Sequence, residues 1–481
     1  MQDNDFTITF SGFNEGNSPL AHLDNKTFIG NKGQASDMKA DVISKPGFLT
    51  QSPALVALTN GTQAGVVSEL IKFILDRPTA TDVTYGIGAT KLFKISSTAV
   101  NSGGSPSWPQ TITNATSGES VVRLKTNLYA FFNKSSGGDI AKMPLASEII
   151  DHTWGSVTHQ ALVKAPHPVA VKEDIMLFGN GRYVGVYVEG LAVLDTQKLD
   201  FGEGSEVADI VFHANTWWIA VNYGEGKKGQ IYMYDASASS SVLSDETGIG
   251  DQTIGFLYVK NGILFIAYKD LSSGVFAIGW LRGRELVPSR YFSGTLPDFK
   301  QKALYKNTIL FNSSTDIWSF GSSVDQLPLQ ISKLADGGLA TLGALASPFG
   351  TPMICSSDGG SNHQIMKFSG YSLDSVFKSV LVDTTDGRNL GKIHTVIVKS
   401  KALEENAKCE ITLEGNQGSA TSKMTSNILI YTGTGKTRQV FRAITMLDVE
   451  DLRLIINFAN GNAVNDCPIR EVECMGTYSE R

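Results

Sequence analysis

The sequence predicts an all-β protein, in which an irregular, roughly seven-bladed β-propeller is followed by a small antiparallel β-sandwich. Three observations lead to this fold class. Glycine accounts for 48 of the 481 residues, about 10% where about 7% is usual, which indicates many tight turns. A polar turn followed by an apolar run recurs about every 43.5 residues through the middle of the chain. The C-terminal part holds short strands at a closer spacing.

The composition excludes several classes of protein. Hydrophobic residues make up 42% and charged residues 18%, so the chain can build a large core and is not predicted to be disordered. The net charge is −6 and no block of like charges occurs, which argues against a basic nucleic-acid surface. The acidic N-terminus is followed by no apolar h-region, and no run approaches the length of a membrane span. We therefore expect neither a cleavable signal nor a transmembrane segment.

The repeat becomes visible when each polar turn is aligned with the apolar run behind it. Intervals between the aligned turns lie between 35 and 53 residues, and a four-stranded propeller blade has a period of about 40 to 50 residues. The long interval that ends at Asn180 leaves room for an extra strand pair. Seven residues mark the repeats: Thr90, Asn127, Asn180, Asn215, Asn261, Asn307 and Thr351.

Each repeat continues with a second turn and another short strand, as in GEGKKG before QIYMY. Asn, Gly and Ser provide the positive φ angles and the side-chain-to-backbone bonds of such turns. The runs WWIAVNY and ILFIAY are apolar throughout, which is typical of strands covered on both faces by neighbouring blades.

The segments on either side of the repeats differ from them. Residues 1–60 are turn-rich and weakly periodic, so we predict an extended N-terminal arm or lead-in. Residues 61–370 are assigned to the propeller. In Gly65–Arg77 the apolar residues lie near helical spacing, so a helix competes with a strand. The position ahead of Thr90 favours a strand, namely the outer strand of the first blade.

Residues 371–481 are predicted to form the β-sandwich, of jelly-roll or immunoglobulin-like type. Seven short strands occur there with turn signals about every 8 to 16 residues, as in other antiparallel sandwiches. The runs HTVIVKS and CEITLEG alternate between apolar and polar residues. Each is therefore expected to bury one face and expose the other.

The run GTGKT (Gly433–Thr437) is similar to the end of a phosphate-binding P-loop. The full pattern requires glycine where Ile430 stands, and a strand, RQVFRAI, follows instead of a helix. A hairpin turn between the strands NILIY and RQVFRAI accounts for the same residues.

The segment Ser356–His363 is similar to the Asp-box turn of sialidase-like propellers, with His363 in place of the aromatic residue. That box is a turn between two strands of a blade, so it supports a propeller and not glycosidase activity. Sialidase-like chemistry would also need clustered arginines and a tyrosine nucleophile. The available residues have no distinctive spacing and are expected to be solvated or ion-paired: Arg182, Arg282, Arg284 and Arg290, with Tyr183 and Tyr291 nearby.

Metal-binding patterns are weak. Asp383–Asn389 places two carboxylates in a glycine turn and could hold calcium, but it lacks the further acidic ligands of an EF-hand, so an ordinary Asx-rich loop is favoured. The histidines follow no ligand spacing. Packed or solvent-facing roles are expected for all seven: His22, His152, His159, His167, His213, His363 and His394.

Cysteine and tryptophan positions also favour structural roles. Four cysteines without a CxxC pair fit a reducing compartment. Cys467 and Cys474 could meet across a hairpin, although buried free thiols are favoured. Trp217 and Trp218 must point to opposite faces of one strand; we expect both to pack between blades, and the alternative is that one lies on a binding surface. No GxSxG elbow occurs, so we assign no catalytic, cofactor-binding or metal-binding residue.

The order of segments resembles that of tailed-bacteriophage virion proteins. The start FSGFNEG, the segment DVISKPGFLTQSPAL (Asp41–Leu55), the propeller and the sandwich follow one another, and the likeness covers nearly the whole chain. This class includes head-to-tail stabilisation, nozzle and tail proteins built on β-propellers. The resemblance implies copies in a ring around the tail axis, with rigid propellers and with arms or sandwiches that clasp neighbours. It implies no catalytic residues.

The expected function is that of a non-enzymatic structural component of a phage virion, in the neck or tail, assembled in the host cytoplasm. Expected partners are further copies of the chain and other neck or tail proteins. The net negative charge of the chain fits a ring whose lumen encloses DNA without sequence-specific contact. No cofactor is expected. One alternative is a carbohydrate- or receptor-binding tail-tip protein with aromatic residues on the propeller face or the sandwich. The second is a propeller glycoside hydrolase, which the fold permits.

Overall fold

The architecture is taken from a computed structural model of the chain. The structure describes residues 5–11, 13, 35–41, 48–60, 63–64, 66–80, 82–101, 106–155, 162–190, 193–224, 228–235, 243–248, 250–283, 285–292, 294–306, 308–321, 331–336, 341–357, 362–379, 381–384, 390–417, 422–458 and 463–479.

Short strands precede the first blade. They are β1 (Asp5–Ser11), β2 (Ala35–Asp41), β3 (Thr50–Gln51), β4 (Pro53–Ala57), β5 (Thr59–Asn60), β6 (Gln63–Ala64) and β7 (Val66–Val67).

Seven blades follow in chain order. Blade 1 contains β8 (Phe73–Ile74), β9 (Thr84–Ile87), β10 (Lys91–Ile95) and β11 (Ala99–Val100), with β12 (Gln110–Thr111) paired to β10. Blade 2 contains β13 (Ser117–Leu124), β14 (Asn127–Asn133) and β15 (Gly138–Pro144). Blade 3 contains β16 (Val169–Lys172), β17 (Ile175–Asn180), β18 (Tyr183–Val188) and β19 (Val193–Asp200). Blade 4 contains β20 (Ser205–His213), β21 (Thr216–Tyr223), β22 (Lys228–Tyr234) and β23 (Leu243–Gly248). Blade 5 contains β24 (Gln252–Lys260), β25 (Ile263–Asp270), β26 (Phe276–Arg282) and β27 (Glu285–Phe292). Blade 6 contains β28 (Lys302–Tyr305), β29 (Thr308–Ser313), β30 (Asp316–Phe320) and β31 (Ile331–Asp336). Blade 7 contains β32 (Thr341–Ala346), β33 (Met353–Ser357), β34 (His363–Tyr371) and the early strand β4.

The first strands of the blades lie nearest the propeller axis. Contacts join β8 to β13, β13 to β16, β16 to β20 and β20 to β24, and β32 contacts both β28 and β8. The last blade therefore meets the first, and the ring is closed. The predicted seven-bladed propeller is confirmed.

Apolar clusters fill the spaces between neighbouring blades. Between blades 5 and 6, the Phe276 and Phe292 rings stack with centroids 4.9 Å apart, and Phe311 meets Phe292 edge-on at 4.9 Å. Burial of such a side chain contributes about 1.5 to 3 kcal/mol. Because one blade cannot cover both of its own faces, the stacking of blades creates the core.

The second strands carry the regular repeat. Tight turns lead into them, as at Asn261 and Gly262, whose φ angles of 50° and 74° fit a type I′ hairpin. Thr90 and Asn180, in contrast, stand before third strands, which explains why the intervals measured in the sequence are uneven. The second strands begin 41 to 48 residues apart, at Thr84, Asn127, Ile175, Thr216, Ile263, Thr308 and Met353.

The N-terminal strands pair within the same chain. β4 pairs with β34, with Leu55 opposite Phe368, and forms the fourth strand of blade 7. β1 pairs along its whole length with the C-terminal part of the chain, from Asp5 opposite Thr477 to Ser11 opposite Glu471. These pairings differ from the arm predicted for residues 1–60. The physical reason is that β34 would otherwise leave its backbone donors and acceptors unpaired at an open edge.

The segment Gly65–Arg77 holds β7 and β8, and its described residues contain no helix, so the strand interpretation is confirmed. Its predicted place in the blade is wrong, however. β8 contacts β13 and β32 and is the inner strand of blade 1, whereas β7 pairs with β34 of blade 7. No helix in the described part of the chain is long and apolar enough to cross a membrane.

The C-terminal strands form the predicted sandwich. They are β35 (Val376–Ser379), β36 (Val382–Asp383), β37 (Leu390–Ser400), β38 (Lys408–Gln417), β39 (Ser422–Thr425), β40 (Leu429–Thr432), β41 (Arg438–Val449), β42 (Asp451–Asn457) and β43 (Ile469–Ser479).

The two sheets of the sandwich share one core. One sheet has the order β1-β43-β37-β41, and the other contains β2-β35-β42-β38 with β36, β39 and β40 at its margins. Val396 and Val472 of the first sheet and Ile411 and Leu454 of the second are fully buried in the same cluster. β38 alternates as predicted, but Val396, Ile397 and Val398 in β37 are all buried, so the prediction of one exposed face is wrong there. β2 also pairs with β31, which joins the sandwich to blade 6.

Candidate functional site

Four charged side chains meet near the propeller axis. We call them the axis cluster: Glu119 of blade 2, Asp209 of blade 4, and Lys300 and Lys302 at the start of blade 6. Lys300 pairs with Glu119, and Lys302 pairs with Asp209. Blades 2, 4 and 6 are not neighbours in the ring, so side chains that join them must cross the axis.

Local backbone geometry directs these side chains inward. The pairing of β13 shifts register between Gly118 and Ser120, on either side of Glu119, and β20 shifts register immediately before Asp209. A β-bulge of this kind redirects the side chains beside it. Lys300 lies in the turn just before β28, and Lys302 is the first residue of that strand.

Glu119 is held by several donors. Its carboxylate accepts hydrogen bonds from Ser117 Oγ at 2.8 Å and from Asn133 Nδ2 at 3.0 Å, besides that from Lys300 Nζ. Lys72 Nζ in turn donates to Ser117 Oγ at 2.8 Å. Glu119 thus connects blades 1, 2 and 6 through one hydrogen-bond network.

Asp209 is the more deeply buried acid, at 2% exposure. It accepts hydrogen bonds from Leu257 N at 2.7 Å, from Ile210 N at 2.9 Å and from Lys302 Nζ. Lys302 Nζ also donates to Leu257 O at 2.8 Å. Burial raises the pKa of Asp209, although Lys302 and the two backbone amides oppose that shift.

His167 lies beside the axis cluster and is completely buried. Its Nδ1 donates to Gly179 O at 2.8 Å, which leaves Nε2 as the unprotonated nitrogen, and Nε2 has no hydrogen-bond partner among the described residues. Burial lowers the pKa of this imidazole. A Cβ atom at Gly138 would lie 2.7 Å from Nε2, so the ring is closely covered on that side.

A carboxylate, an imidazole and an ammonium are the groups used in acid–base catalysis. Here, however, the side chains of the ion pairs are only 14% and 7% exposed for Lys300 and Glu119, and 16% and 3% for Lys302 and Asp209. His167 has no exposed surface. The arrangement therefore links blades across the axis and leaves little room for a substrate.

Asparagine side chains connect neighbouring blades further from the axis. Asn222 of β21 donates to Ile254 O at 2.9 Å and accepts from Ile254 N at 2.8 Å, in the first strand of blade 5. Asn133 of β14 makes the same two bonds to Ala165, in the segment that leads into blade 3, at 3.0 and 3.2 Å. Asn312 of β29 donates to Gly343 O of blade 7 at 2.9 Å. Neighbouring blades are separate sheets, so their backbones do not pair with one another. Each asparagine amide therefore provides hydrogen bonds between two blades.

The P-loop-like run GTGKT is a turn between β40 and β41, and Gly433 and Gly435 adopt positive φ angles of 125° and 74°. The hairpin interpretation is wrong in one respect, because β40 pairs with β38 whereas β41 pairs with β37. The turn therefore carries the chain from one sheet of the sandwich to the other. The Asp-box-like segment connects the paired strands β33 and β34 as expected, although residues 358–361 lie outside the described part.

The arginines near the suspected sialidase pattern are not brought together in the described part. Arg182 pairs with Asp200 at 3.1 Å and lies over the Tyr183 ring, while Arg282 is exposed. Arg284 lies outside the described residues, as do the side chains of Arg290 and Tyr291. Residues 385–389 of the possible calcium loop also lie outside them. No group of three or more His, Cys, Asp or Glu that could hold a metal occurs in the described part.

The tryptophans pack as expected. Trp217 joins the cluster between blades 3 and 4, and Trp218 joins the cluster between blades 4 and 5. All four cysteines are buried and free. Cys467 lies against Cys409, with a hydrogen bond between the two thiols. Of the histidines, His22 and His159 lie outside the described part, and His152, His213, His363 and His394 are half-buried.

Sequence reasoning missed the axis cluster. The available signals were single acids inside otherwise apolar strands, Glu119 in SGESVVRL and Asp209 in SEVADIVFH, and two lysines at strand spacing in FKQKALY. None of these is a motif, because partners up to 181 residues apart become neighbours only when the ring closes.

No family model and no curated protein matches the chain. Among solved structures, it is similar to the extracellular domain of a protein from B. thetaiotaomicron (13% identity, TM-score 0.45, 75% of this chain and 45% of that chain). It is also similar to the Dos1 propeller (9% identity, TM-score 0.42, 66% and 97%). A third is a glycoside hydrolase family 43 arabinoxylan arabinofuranohydrolase from Bacillus subtilis (10% identity, TM-score 0.28, 97% and 99%). The chain spans less than half the length of the first of these.

Proposed function

We propose that the protein is a non-enzymatic structural component of a bacteriophage virion, in the neck or tail, where copies of it form a ring around the tail axis. The observation that carries this proposal is the pair of ion pairs across the propeller axis, Lys300 with Glu119 and Lys302 with Asp209. They join non-adjacent blades in the place where a propeller enzyme would need an open site.

A rigid body suits such a role. Separate blades can tilt against one another unless side chains hold them, and here one blade is bonded across the axis to two others. The sandwich is tied to blade 6 through the pairing of Lys39 with Lys333, and β4 secures blade 7. A load on one part of the chain is therefore passed to the others through hydrogen bonds and packed side chains.

The proposed partners are further copies of the chain and other neck or tail proteins. The net charge of −6 suits a wall that surrounds DNA without holding it, because like charges repel. In this proposal the protein acts in the virion after assembly in the host cytoplasm.

Mass photometry and cryo-EM class averages of the purified full chain test the proposal. We expect closed rings of propeller discs with a single subunit number. A chain that stays monomeric over the whole accessible concentration range would contradict ring assembly. A screen against generic glycoside substrates is run on the same sample, and turnover there would contradict the non-enzymatic role.

A further inference from the structure

One sheet of the sandwich ends in two open edges. Its strand order is β1-β43-β37-β41. Among the described residues, β1 pairs only with β43, and β41 pairs only with β37. The backbone groups on the far side of each edge strand therefore have no strand opposite them in the described part of the chain. Such an edge is a template on which a further strand can pair.

The two edge strands run in opposite directions. All three pairings within the sheet are antiparallel, so the fourth strand, β41, is antiparallel to the first, β1. A second copy that is displaced sideways in the plane of the sheet keeps the direction of its own β1. That strand would then lie antiparallel to β41 of the first copy, and the joint would continue the hydrogen-bond pattern of the sheet.

The usual features that keep an edge strand unpaired are missing from these two strands. β1 (DFTITFS) contains no proline or lysine, and it pairs with β43 from Asp5 to Ser11 without a bulge. β41 also contains no proline or lysine, and its segment 438–442 is regularly paired with residues 395–399 of β37. Because lysine, proline and bulges are the common means of blocking an edge, both edges are suited to pairing.

Small side chains of β1 lie on the outer face of this sheet, which is the face turned away from the core. Ile8 and Phe10 are buried, and successive side chains alternate between the two faces. Thr7, Thr9 and Ser11 therefore lie on the outer face. Their short side chains leave room for a longer side chain from a neighbouring strand to lie across β1.

Two arginines lie on the outer face at the other edge. Arg438 and Arg442 of β41 are exposed, and neither forms an ion pair with another described residue. Arg438 stands opposite Lys399 of β37, so its cross-strand neighbour has the same charge, which is unfavourable. The β41 edge is therefore basic and has no acidic partner within the described chain.

The acids of the outer face lie near the β1 edge. Glu471 and Glu473 of β43, the strand next to β1, share the single ammonium of Lys399 at 2.6 and 2.7 Å. Two carboxylates on one ammonium leave an excess negative charge, and the exposed Asp5 adds to it at the start of β1. The two edges of the sheet thus carry opposite charge, as complementary surfaces do.

The register of the sheet shows how these charges would meet between two copies. Arg438, Lys399, Glu471 and Ser11 stand in one line across the four strands. If the next copy joins without shear, its Ser11 lies opposite Arg438, and its Glu471 lies one strand further. Two strand spacings are about 10 Å, a span that an arginine and a glutamate side chain can bridge across a serine.

We infer that β1 of one copy pairs with β41 of the next copy, so that this sheet continues from subunit to subunit, with Arg438 and Arg442 facing the acids beside β1. The inference rests on the proposed function, because it names the contact through which the proposed ring of copies would form. The two surfaces of this contact are different. Such a contact closes into a ring when the rotation between copies is an exact fraction of a turn, and otherwise it extends as a filament.

Cysteine cross-linking in the full chain tests the strand pairing. The double variant Thr9→Cys/Val440→Cys places thiols at positions that are opposite in the unsheared register, and Thr7→Cys or Ser11→Cys in place of Thr9→Cys covers a shear of two residues in either direction. All four native cysteines are buried. Met475→Cys/Val440→Cys is the matched control, since Met475 is exposed on the same face but lies in β43, which is not an edge strand.

Charge reversal tests the facing charges. Arg442→Glu would bring a like charge towards the acidic edge, and we expect the dissociation constant between copies to rise about tenfold or more. Arg282→Glu makes the same change at an exposed position of blade 5 and should leave the constant unchanged. Dilution series in mass photometry measure both constants, and melting temperatures establish that each variant is folded.

Under mild oxidation we expect a ladder of covalent oligomers up to the size of the ring from at least one of the β1/β41 double variants. The control pair and each single variant should give no ladder. Closed rings without a ladder from any double variant overturn the inference and leave the proposed ring intact. A ladder with open filaments supports the inference and contradicts the ring. A chain that stays monomeric contradicts both.

Two further results would overturn the inference. Covalent dimers from Thr9→Cys alone would show that two β1 strands pair with each other. An Arg442→Glu variant that assembles as tightly as the wild type would show that the arginines do not face acids at the contact.

Discussion

Lys302 Nζ of blade 6 donates hydrogen bonds both to the Asp209 carboxylate of blade 4 and to Leu257 O of blade 5. Asp209 itself accepts from Leu257 N. One ammonium and one carboxylate thus connect three blades, and the loss of either leaves the other buried without its charge partner. The stability of the ring should depend on this pair more than on any surface ion pair.

Lys302→Met should lower the free energy of unfolding by about 3 to 5 kcal/mol, the usual cost of leaving one member of a buried pair uncompensated. Chemical denaturation measures this loss. Addition of Asp209→Leu should recover part of it, because no lone charge then remains. Lys228→Met is the control, since it removes an exposed pair with Asp251 and should change little. Equal losses in Lys302→Met and Lys228→Met would contradict the importance of the axial pair.

Asn222→Ala should lower the free energy of unfolding by about 2 kcal/mol, because it leaves both the N–H and the C=O of Ile254 without their partner. Asn312→Ala should cost about half as much, since only Nδ2 of that side chain is bonded in the described part. The comparison is made from denaturation midpoints. The same loss in both variants would show that burial, and not the paired bonds, determines the cost.

His167 should make the protein less stable in weak acid. Its pKa is lowered in the folded state from an ordinary value of 6.5, so the unfolded chain binds more protons in the interval between the two values. The contribution of the neutral His167 imidazole to the free energy of unfolding is therefore complete above pH 6.5. It is lost as the pH falls towards the pKa of the folded state. His167→Asn retains a donor for Gly179 O and should flatten the profile between pH 7.5 and 5. Urea midpoints across that range are the measurement, with His152→Asn as the control.

The four thiols should be unreactive in the native protein. All are buried, burial raises the pKa of Cys355 to about 12, and it also raises the pKa of Cys409 and of Cys474. Because the thiolate is the reactive form, we expect no rapid reaction with Ellman's reagent at pH 8 and reaction of four thiols after unfolding. A fast-reacting thiol in the native protein would disprove the packing at that cysteine.

Removal of residues 1–60 should destabilise the propeller, since β4 provides the fourth strand of blade 7 and β1 an edge of the sandwich. A lower melting temperature and aggregation are expected, because β34 becomes an open edge. Val56→Ser in the full chain is the control, as Val56 is exposed. If the truncated chain melts at the wild-type temperature, the pairing of β4 is not required for closure.

Local patterns in the sequence were sufficient for the type of fold. Turn residues such as Asn261-Gly262 and runs such as WWIAVNY determine hairpins and buried strands through short-range sterics and burial, and their recurrence predicts the blades. Equally local reasoning excluded a P-loop at Gly433–Thr437. The uneven intervals arose because Thr90 and Asn180 stand one strand later in the blade than the other markers do.

Only the tertiary structure decided which distant segments meet. Turn and strand patterns do not encode that β4 closes blade 7 or that Lys302 reaches Asp209 across the axis. Such contacts depend on the closing of a ring whose first and last blades are separated by most of the chain. Their stability comes from burial of polar groups with specific partners. Such a partner can be identified only when the positions of both segments in the folded chain are known.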